Sequence, residues 1–351
     1  MRVLVAMSGG VDSSVAAALL VAEGHEVVGA TMKLWGGPSD SGCCSVADVE
    51  DARRVAQQLG IPHHVFNFTD DFDRQVVEPY VSAHAAGVTP NPCVACNRHL
   101  KFDRFARRAL QLGFDRIATG HHARVVATDA GWELRRAEDR AKDQSYVLHM
   151  LDQRQLSRLL LPVGTMPKAE VRSRAAALGL RTAAKPDSQD VCFISRSGGR
   201  AAFLGDRIPF RPGKVVDAAG TVVGSVPAVE LVTVGQRRGL GNLTSEPAAD
   251  RTGSPERIYA VDVDIEGAVV TVGGLEALMV DEVAVTGWTW TGHPVPEGTA
   301  IEVQTSAHGC PVQGTWGETA VRLDTPVRRV APGQSVVAYL GDRVLGGGVA
   351  A

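Results

Sequence analysis

The chain has 351 residues, a formal net charge of −3 and 44% hydrophobic residues, the balance of a water-soluble protein with more than one core. Its clearest apolar run, Val15 to Ala22, is too short to span a bilayer, and no basic and apolar leader precedes the first strand, so a cytoplasmic location is expected and a membrane is not. The overall charge gives no sign of a nucleic-acid partner.

Val3-Leu4-Val5-Ala6-Met7 reads as a buried strand running into Ser8-Gly9-Gly10-Val11-Asp12-Ser13-Ser14 and then a helix to about Glu23, with Gly24 as its left-handed cap. Two adjacent glycines let backbone close on an anion, and the N–H groups and positive dipole end of the helix then hold a pyrophosphate. Ser8, Ser13 and Ser14 add hydroxyl donors, and Asp12 either caps the helix or reaches a magnesium ion. No Gly-x-x-x-x-Gly-Lys-Ser/Thr is present, which excludes a Walker-type loop. The plain alternative is a turn before an N-capped helix; we read the segment as an ATP loop.

Residues 26–32 predict a second strand, Ser45 with Asp48 a capping arrangement opening a helix to about Leu59, 63–68 a third strand and 71–86 an amphipathic helix. A stiff loop follows, Thr89-Pro90-Asn91-Pro92-Cys93-Val94-Ala95-Cys96, then a basic helix over 97–112 and a strand over 116–119. This alternation predicts a parallel sheet with helices on both faces. Ligands of such sheets sit beyond the carboxyl ends of the strands, where Gly120-His121-His122 falls. Helices continue from Asp152 and from Pro167. Beyond Gly198 short segments rich in Val, Thr, Gly and Pro, with turns such as Asp217-Ala218-Ala219-Gly220, read as all-β. Gly273-Gly274 marks a boundary before strands over 280–290, 300–305, 319–323 and 334–340. The expected division is an α/β catalytic domain over 1–197, a small β-rich middle domain over 198–274 and a C-terminal β-barrel over 275–351.

Three basic clusters point to a polyanion, although a solvated helix face accounts for any one of them. They are Arg98, Lys101, Arg104, Arg107, Arg108 and Arg116; Arg135, Arg136, Arg140 and Lys142; and Arg237-Arg238. The six cysteines, at 43, 44, 93, 96, 192 and 310, are more readily chemical than structural in a cytosolic protein. Cys96 sits before a helix rich in Arg and Lys, and a helix N-terminus beside cations favours thiolate. Cys192 alone reads as apolar filler. A zinc site joining Cys93 and Cys96 to Cys43-Cys44 suffers because adjacent cysteines make poor tetrahedral ligands. A thioredoxin-like pair does not fit the flanking prolines.

The first loop resembles the signature of the ATP-pyrophosphatases, which cleave ATP to AMP and pyrophosphate while activating an oxygen. Further landmarks are Thr89-Pro90-Asn91-Pro92 leading to Cys96-Asn97, Lys101-Phe102, Ala118-Thr119-Gly120-His121 and Lys142-Asp143-Gln144-Ser145-Tyr146. Lys185-Pro186-Asp187-Ser188 leading to Cys192-Phe193-Ile194, Val234-Gly235-Gln236-Arg237-Arg238-Gly239-Leu240 and Pro332-Gly333-Gln334 complete the series. In this combination and order the chain resembles the bacterial tRNA-specific 2-thiouridylases (MnmA/TrmU family) over nearly its whole length.

The resemblance implies ATP contacts at Ala6, Met7, Ser8, Gly9, Gly10, Val11, Asp12, Ser13, Met32 and Gly120. It implies a persulfide on Cys192, Cys96 as the partner nucleophile, and tRNA contacts at His121, Lys142, Asp143, Gln144 and Gln334. The implied reaction adenylates O2 of the wobble uridine (U34), delivers sulfur to C2 and closes a Cys96–Cys192 disulfide, with ATP and Mg2+ required. Sulfur would come from a cysteine desulfurase or sulfur-carrier protein, and the enzyme would be a monomer. Cys93 stands where the family often has Asp, so Cys93, Cys96 and Cys192 open an alternative route through a 4Fe-4S cluster. A small-molecule ATP-pyrophosphatase synthetase is the other alternative, and it would need an ammonia source for which the chain has no glutaminase domain. Residues 226–231 and 306–308 depart from the family pattern, and Cys43, Cys44 and Cys310 have no assigned role.

Overall fold

The computed structural model describes residues 1–35, 45–187, 191–194, 198–241, 243 and 257–351. Cys43 and Cys44 lie outside the described residues. The chain opens with β1 (Arg2–Ala6), α1 (Val11–Ala22), β2 (Glu26–Lys33), α2 (Val46–Gln58) and β3 (His63–Asn67). Ser45 does form the capping box with Asp48, and Gly24 takes φ +80 at the end of α1. A helical run built of Thr69–Phe72, Asp73–Val77 and Glu78–Ala85 follows. The next run is built of Pro92–Cys96, Asn97–Phe105 and Ala106–Gln111. Then come β4 (Arg116–Ala118), the hairpin β5 (Ala123–Thr128) and β6 (Gly131–Arg136), β7 (Leu159–Leu160) and a helix over Lys168–Ala177.

The first sheet is parallel throughout, in the order β3-β2-β1-β4-β7. Its two faces are covered separately, because alternate residues of a strand point to opposite sides. Val3 and Val5 of β1 pack with Val15, Ala16, Val55 and Val171 from three helices, while Leu4 and Ala6 pack with Phe72, Val76, Leu100 and Phe105 on the other side. The strand order reverses between β1 and β4, which is where such sheets open a crevice for a ligand.

The middle unit is a four-stranded sheet, β10-β11-β8-β9, of β8 (Gly213–Val216), β9 (Val222–Val226), β10 (Tyr259–Asp264) and β11 (Val269–Gly273). It has its own valine-rich core around Val215, Val226 and Val270. The last unit runs β12 (Met279–Trp290), β13 (Ala300–Gln304), β14 (Val312–Trp316), β15 (Ala320–Arg328), β16 (Ser335–Leu340) and β17 (Arg343–Ala350). Its order β12-β15-β14-β13-β16-β17 closes because β17 also pairs with β12. Closure removes the exposed edges an open sheet would present.

Two features differ from the expectation of separate units. The β5–β6 hairpin leaves the parallel sheet and extends the barrel sheet, Arg343 of β17 standing opposite Arg135 of β6. Val337, Tyr339 and Val344 of the barrel then pack into the same apolar cluster as Leu4 and Ala6. Among the described residues no helix is long and apolar enough to cross a membrane.

Candidate active site

The loop after β1 is shaped from within. Ser14 Oγ donates to the Gly10 carbonyl at 2.7 Å, Ser13 Oγ to the same carbonyl at 3.2 Å, and the Ser8 N–H donates to Ser13 Oγ at 3.2 Å. Gly9 takes φ +71, and a Cβ there would run into the Asp48 carbonyl at the start of α2, so both conformation and space demand glycine. Gly10 is the N-cap of α1 and contributes no side chain, leaving the first-turn N–H groups to an anion. Ala6, Met7, Val11 and Met32 are buried and form the floor, with Thr31 Oγ1 donating to the Met7 carbonyl at 2.8 Å. From β4, Gly120 lies flat on this turn: a Cβ would sit 2.5 Å from the Ser13 nitrogen. The residues present therefore fit a polyphosphate.

Charged groups surround the loop, of which the sequence singles out Lys142, Lys185 and Asp187 for other reasons and Lys168 not at all. Lys168 Nζ donates to both carboxylate oxygens of Asp12, each at 2.6 Å, and His122 Nε2 lies 3.1 Å from Asp12 Oδ1. Asp12 thus neither caps α1 nor presents an unbonded carboxylate. Burial pushes its carboxyl up, but the His122 and Lys168 hydrogen bonds outweigh that and hold it below its ordinary value of 3.8. Lys168 also reaches Asp187 at 3.1 Å, which Lys142 and Arg172 hold at 2.9 and 2.6 Å. Lys185 Nζ donates to the Gly9 carbonyl at 2.9 Å and to Asp51 at 2.8 Å. Three side chains from distant segments, His122, Lys168 and Lys185, thus tie the loop down through contacts that leave no local spacing to find.

The cysteines need a correction. The helix that was expected to start after Cys96 starts at Pro92, because proline suits a first helical position and Asn91 caps it, accepting from the N–H groups of Cys93 and Val94 at 3.0 and 3.4 Å. Cys93 therefore occupies the second helical position, and the dipole argument made for Cys96 applies to it instead. Cys96 is buried one turn in, and the helix widens to π geometry from Asn97. Cys192 comes to the same place. Phe193 is wedged among Trp35, Phe72, Tyr80 and Phe203, with ring centroids 5.1–6.1 Å away, in the cluster that includes Cys96. The Val191 N–H donates to Cys93 Sγ at 3.5 Å, and Val191 holds φ +54, a strained value for a β-branched residue. Among the described residues no three His, Cys, Asp or Glu side chains gather as a metal site. Cys310 is exposed.

The residues expected to face tRNA divide. His121 stands beside the loop, its Nδ1 2.7 Å from Thr119 Oγ1 and its Nε2 3.5 Å from Lys101 Nζ. Burial first, then Lys101 and His122, hold its pKa well below 6.5, so the ring is neutral. Lys142 is exposed on Asp187. Asp143 is turned inward, accepting from Arg136, Ala137 and Ser145, and Gln144 exchanges hydrogen bonds with the His122 backbone. Gln334 donates to the Thr89 carbonyl. The basic cluster at 135–142 is also largely spent inside: Arg135 pairs with Glu133 and Asp342, and Arg136 with Asp143.

A helix start without a side-chain cap at the switch point of a parallel sheet defines a nucleotide-binding α/β domain, here with β domains appended. Family profiles agree with that architecture: the tRNA methyl transferase HUP domain matches residues 1–196, its PRC-barrel domain 201–274 and the aminomethyltransferase beta-barrel domain 280–350. The chain is 49% identical to the tRNA-specific 2-thiouridylase MnmA of Mycobacteroides abscessus, over 99% of each chain. It is 48% identical to that of Mycolicibacterium gilvum over 98% of each, and 46% identical to that of Mycolicibacterium paratuberculosis over 99% of this chain and 98% of the relative. The chain belongs to the tRNA-specific 2-thiouridylase MnmA family.

Proposed function

We infer that the chain is an ATP-dependent tRNA-uridine 2-sulfurtransferase that converts the wobble uridine of tRNA to 2-thiouridine, releasing AMP and pyrophosphate. The observation that carries this reading is the meeting of two thiol segments far apart in sequence, the helix from Pro92 and the turn at Val191, on the Val191-to-Cys93 hydrogen bond. A synthetase acting on a small molecule has no use for it.

ATP lies on the turn of Ser8, Gly9 and Gly10, its phosphates against the α1 N-terminus and Ser13, its nucleoside toward Met32 and Gly120. Lys168 and Lys142 face the charge that develops as pyrophosphate leaves. Mg2+ would accompany the triphosphate; the carboxylates of Asp12 and Asp187 are both held by Lys168. Uridine O2 attacks the α-phosphorus and pyrophosphate departs. The terminal sulfur of a Cys192 persulfide attacks C2, and AMP leaves with O2. The Cys96 thiolate then attacks the Cys192 sulfur, so the electron pair of the broken S–S bond stays on the new 2-thio group and a Cys96–Cys192 disulfide remains. An external dithiol resets the pair, and a cysteine desulfurase or sulfur-carrier protein reloads Cys192. His121, Lys142 and Gln144 lie on the side from which the anticodon enters. A single chain holds every group named, so a cytoplasmic monomer suffices, with the work divided among units 1–197, 198–274 and 275–351.

The test measures AMP and pyrophosphate release from ATP, with and without unmodified tRNA, beside a mercury-gel assay for thiolated tRNA in the presence of a sulfur source. Release tied to tRNA together with a shifted band is expected. ATP cleavage indifferent to tRNA, with no shifted band, would overturn the assignment. In the same assay Cys96→Ala and Cys192→Ala each abolish the shifted band, whereas Cys93→Ala lowers it only mildly; loss as complete at Cys93 would return the three-thiolate route.

A further inference from the structure

The helix from Pro92 carries two of the three thiols on a single turn. Cys93 holds its second position and Cys96 stands three residues on, so the two share a face, with Cβ atoms about 5–6 Å apart and close to the span of a disulfide. The prolines that speak against a redox pair in the sequence are part of what starts this helix, Pro92 at the first position behind the Asn91 cap. The sulfurs differ in access. Cys96 is 8% exposed, whereas Cys93 and Cys192 are half-buried. The third thiol is brought in by the turn at Val191, whose N–H donates to Cys93 Sγ at 3.5 Å and so sets the residue before Cys192 against the first turn of the helix. Cys93 therefore neighbours both members of the disulfide that sulfur transfer leaves behind, and no step described above uses it.

We propose that Cys93 is the resolving thiol of the cycle: it attacks the Cys96 sulfur of the Cys96–Cys192 disulfide, leaving a Cys93–Cys96 disulfide within the helix and a free Cys192. The proposal rests on the thiolation reading and deepens it. The Cys93 thiolate supplies the electron pair of the new S–S bond, and the pair of the broken bond leaves on Cys192. The proton that Cys93 gives up is balanced by the one Cys192 takes, and one disulfide replaces another, so the exchange consumes no oxidant or reductant. The external dithiol that resets the cycle then attacks Cys93, the more exposed sulfur of the helical pair, and Cys96 leaves as thiolate. Its second thiol closes its own disulfide and releases Cys93. Without Cys93 that dithiol has to reach the buried Cys96, or Cys192 on the side where the thiolated base lies. Attack within one helical turn is unimolecular and runs ahead of an encounter between two proteins. Cys192 is thereby free to accept sulfur again before the reductant arrives.

The test follows the disulfides through one turnover. The full chain is loaded with sulfur by a cysteine desulfurase, freed of small thiols, given ATP, Mg2+ and unmodified tRNA, and quenched with an alkylating reagent. Trypsin leaves Cys93 and Cys96 in one peptide ending at Arg98, so a bond between them lowers the mass of that peptide by two hydrogens, whereas Cys96–Cys192 links two peptides. In the parent the internal disulfide is expected to appear with the thiouridine, with Cys192 alkylated. In Cys93→Ser the linked pair is expected instead. Over many turnovers with a dithiol protein as reductant, Cys93→Ser should run about 3- to 5-fold slower than the parent, and a small dithiol in excess should restore it. Melting temperature serves as the folding control. Thiouridine formed by the parent with no internal disulfide would overturn the proposal, as would a Cys93–Cys192 link in its place or equal turnover of parent and variant on the protein reductant. A parent chain that makes no thiouridine would instead bring down the functional assignment on which the proposal stands.

Discussion

Asp12 and His149 carry opposite electrostatic histories, and acid separates them. Asp12 has a folded pKa below its ordinary value of 3.8, so the folded chain binds fewer protons there than the unfolded one. The stability it contributes is complete above about pH 5 and is lost as pH falls through the folded value. His149 is fully buried, neither ring nitrogen has a partner among the described residues, and burial first, then Arg98, push its pKa down to about 3. The unfolded ring takes its proton near pH 6.5 and the folded one does not, so stability declines from there down to about pH 3, by at most about 1.4 kcal/mol per pH unit. Melting curves across pH should show two limbs: His149→Gln flattens the one between pH 6.5 and 4, Asp12→Asn the one below pH 4. If His149→Gln left the upper limb unchanged, the buried ring would have no part in acid unfolding.

Among the elements, the helix from Pro92 shows what the sequence made legible and what it hid. Ser45 with Asp48 announced α2 because both halves of its capping box lie within four residues. Asn91-Pro92 is an equally good start signal, yet a second proline and a cysteine pair made the stretch look like loop. Strand β17 was missed for a different reason: Gly346, Gly347 and Gly348 weaken any strand pattern, but a Cβ on Gly347 would stand 2.6 Å from His149 Nδ1, so the strand is thinned to lie over a buried ring. The loop, the cysteines and the parallel sheet were readable because their signals are local. Lys168 was not, nor were the partners of His122 and Lys185, since each of these contacts joins residues more than a hundred positions apart. At Asn91, removing the cap in Asn91→Ala should cost about 1 kcal/mol and lower thiolation more than pyrophosphate release. Urea melts and the gel assay together check this, and equal falls in both activities would detach the cap from the sulfur step.

For the molecule as a whole, the barrel and the nucleotide-binding sheet share one apolar cluster. Arg136 of β6 is buried against Asp143 at 3.1 Å and Gln304 at 2.9 Å, with its guanidinium 3.5 Å from the Tyr339 ring. Arg136→Ala leaves the Asp143 carboxylate buried without its cation, at a cost of about 3–5 kcal/mol. Calorimetry should show the sheet and barrel melting in one transition that this variant moves as a unit. Two resolved transitions, only one of them shifted, would mean that the shared core does not couple them.

The Tyr146 hydroxyl donates to the Ser335 carbonyl across a separation of 189 residues. On a ribosome, Tyr146 and the apolar cluster around it emerge long before β16 and β17 exist to add Val337, Tyr339 and Val344 to that cluster. At roughly 5–20 residues per second that wait is roughly ten to forty seconds. For this interval the part of the apolar cluster that Val337, Tyr339 and Val344 complete is left open to solvent in the newborn chain. Slow codons placed between these segments would lengthen the exposure and lower the soluble yield.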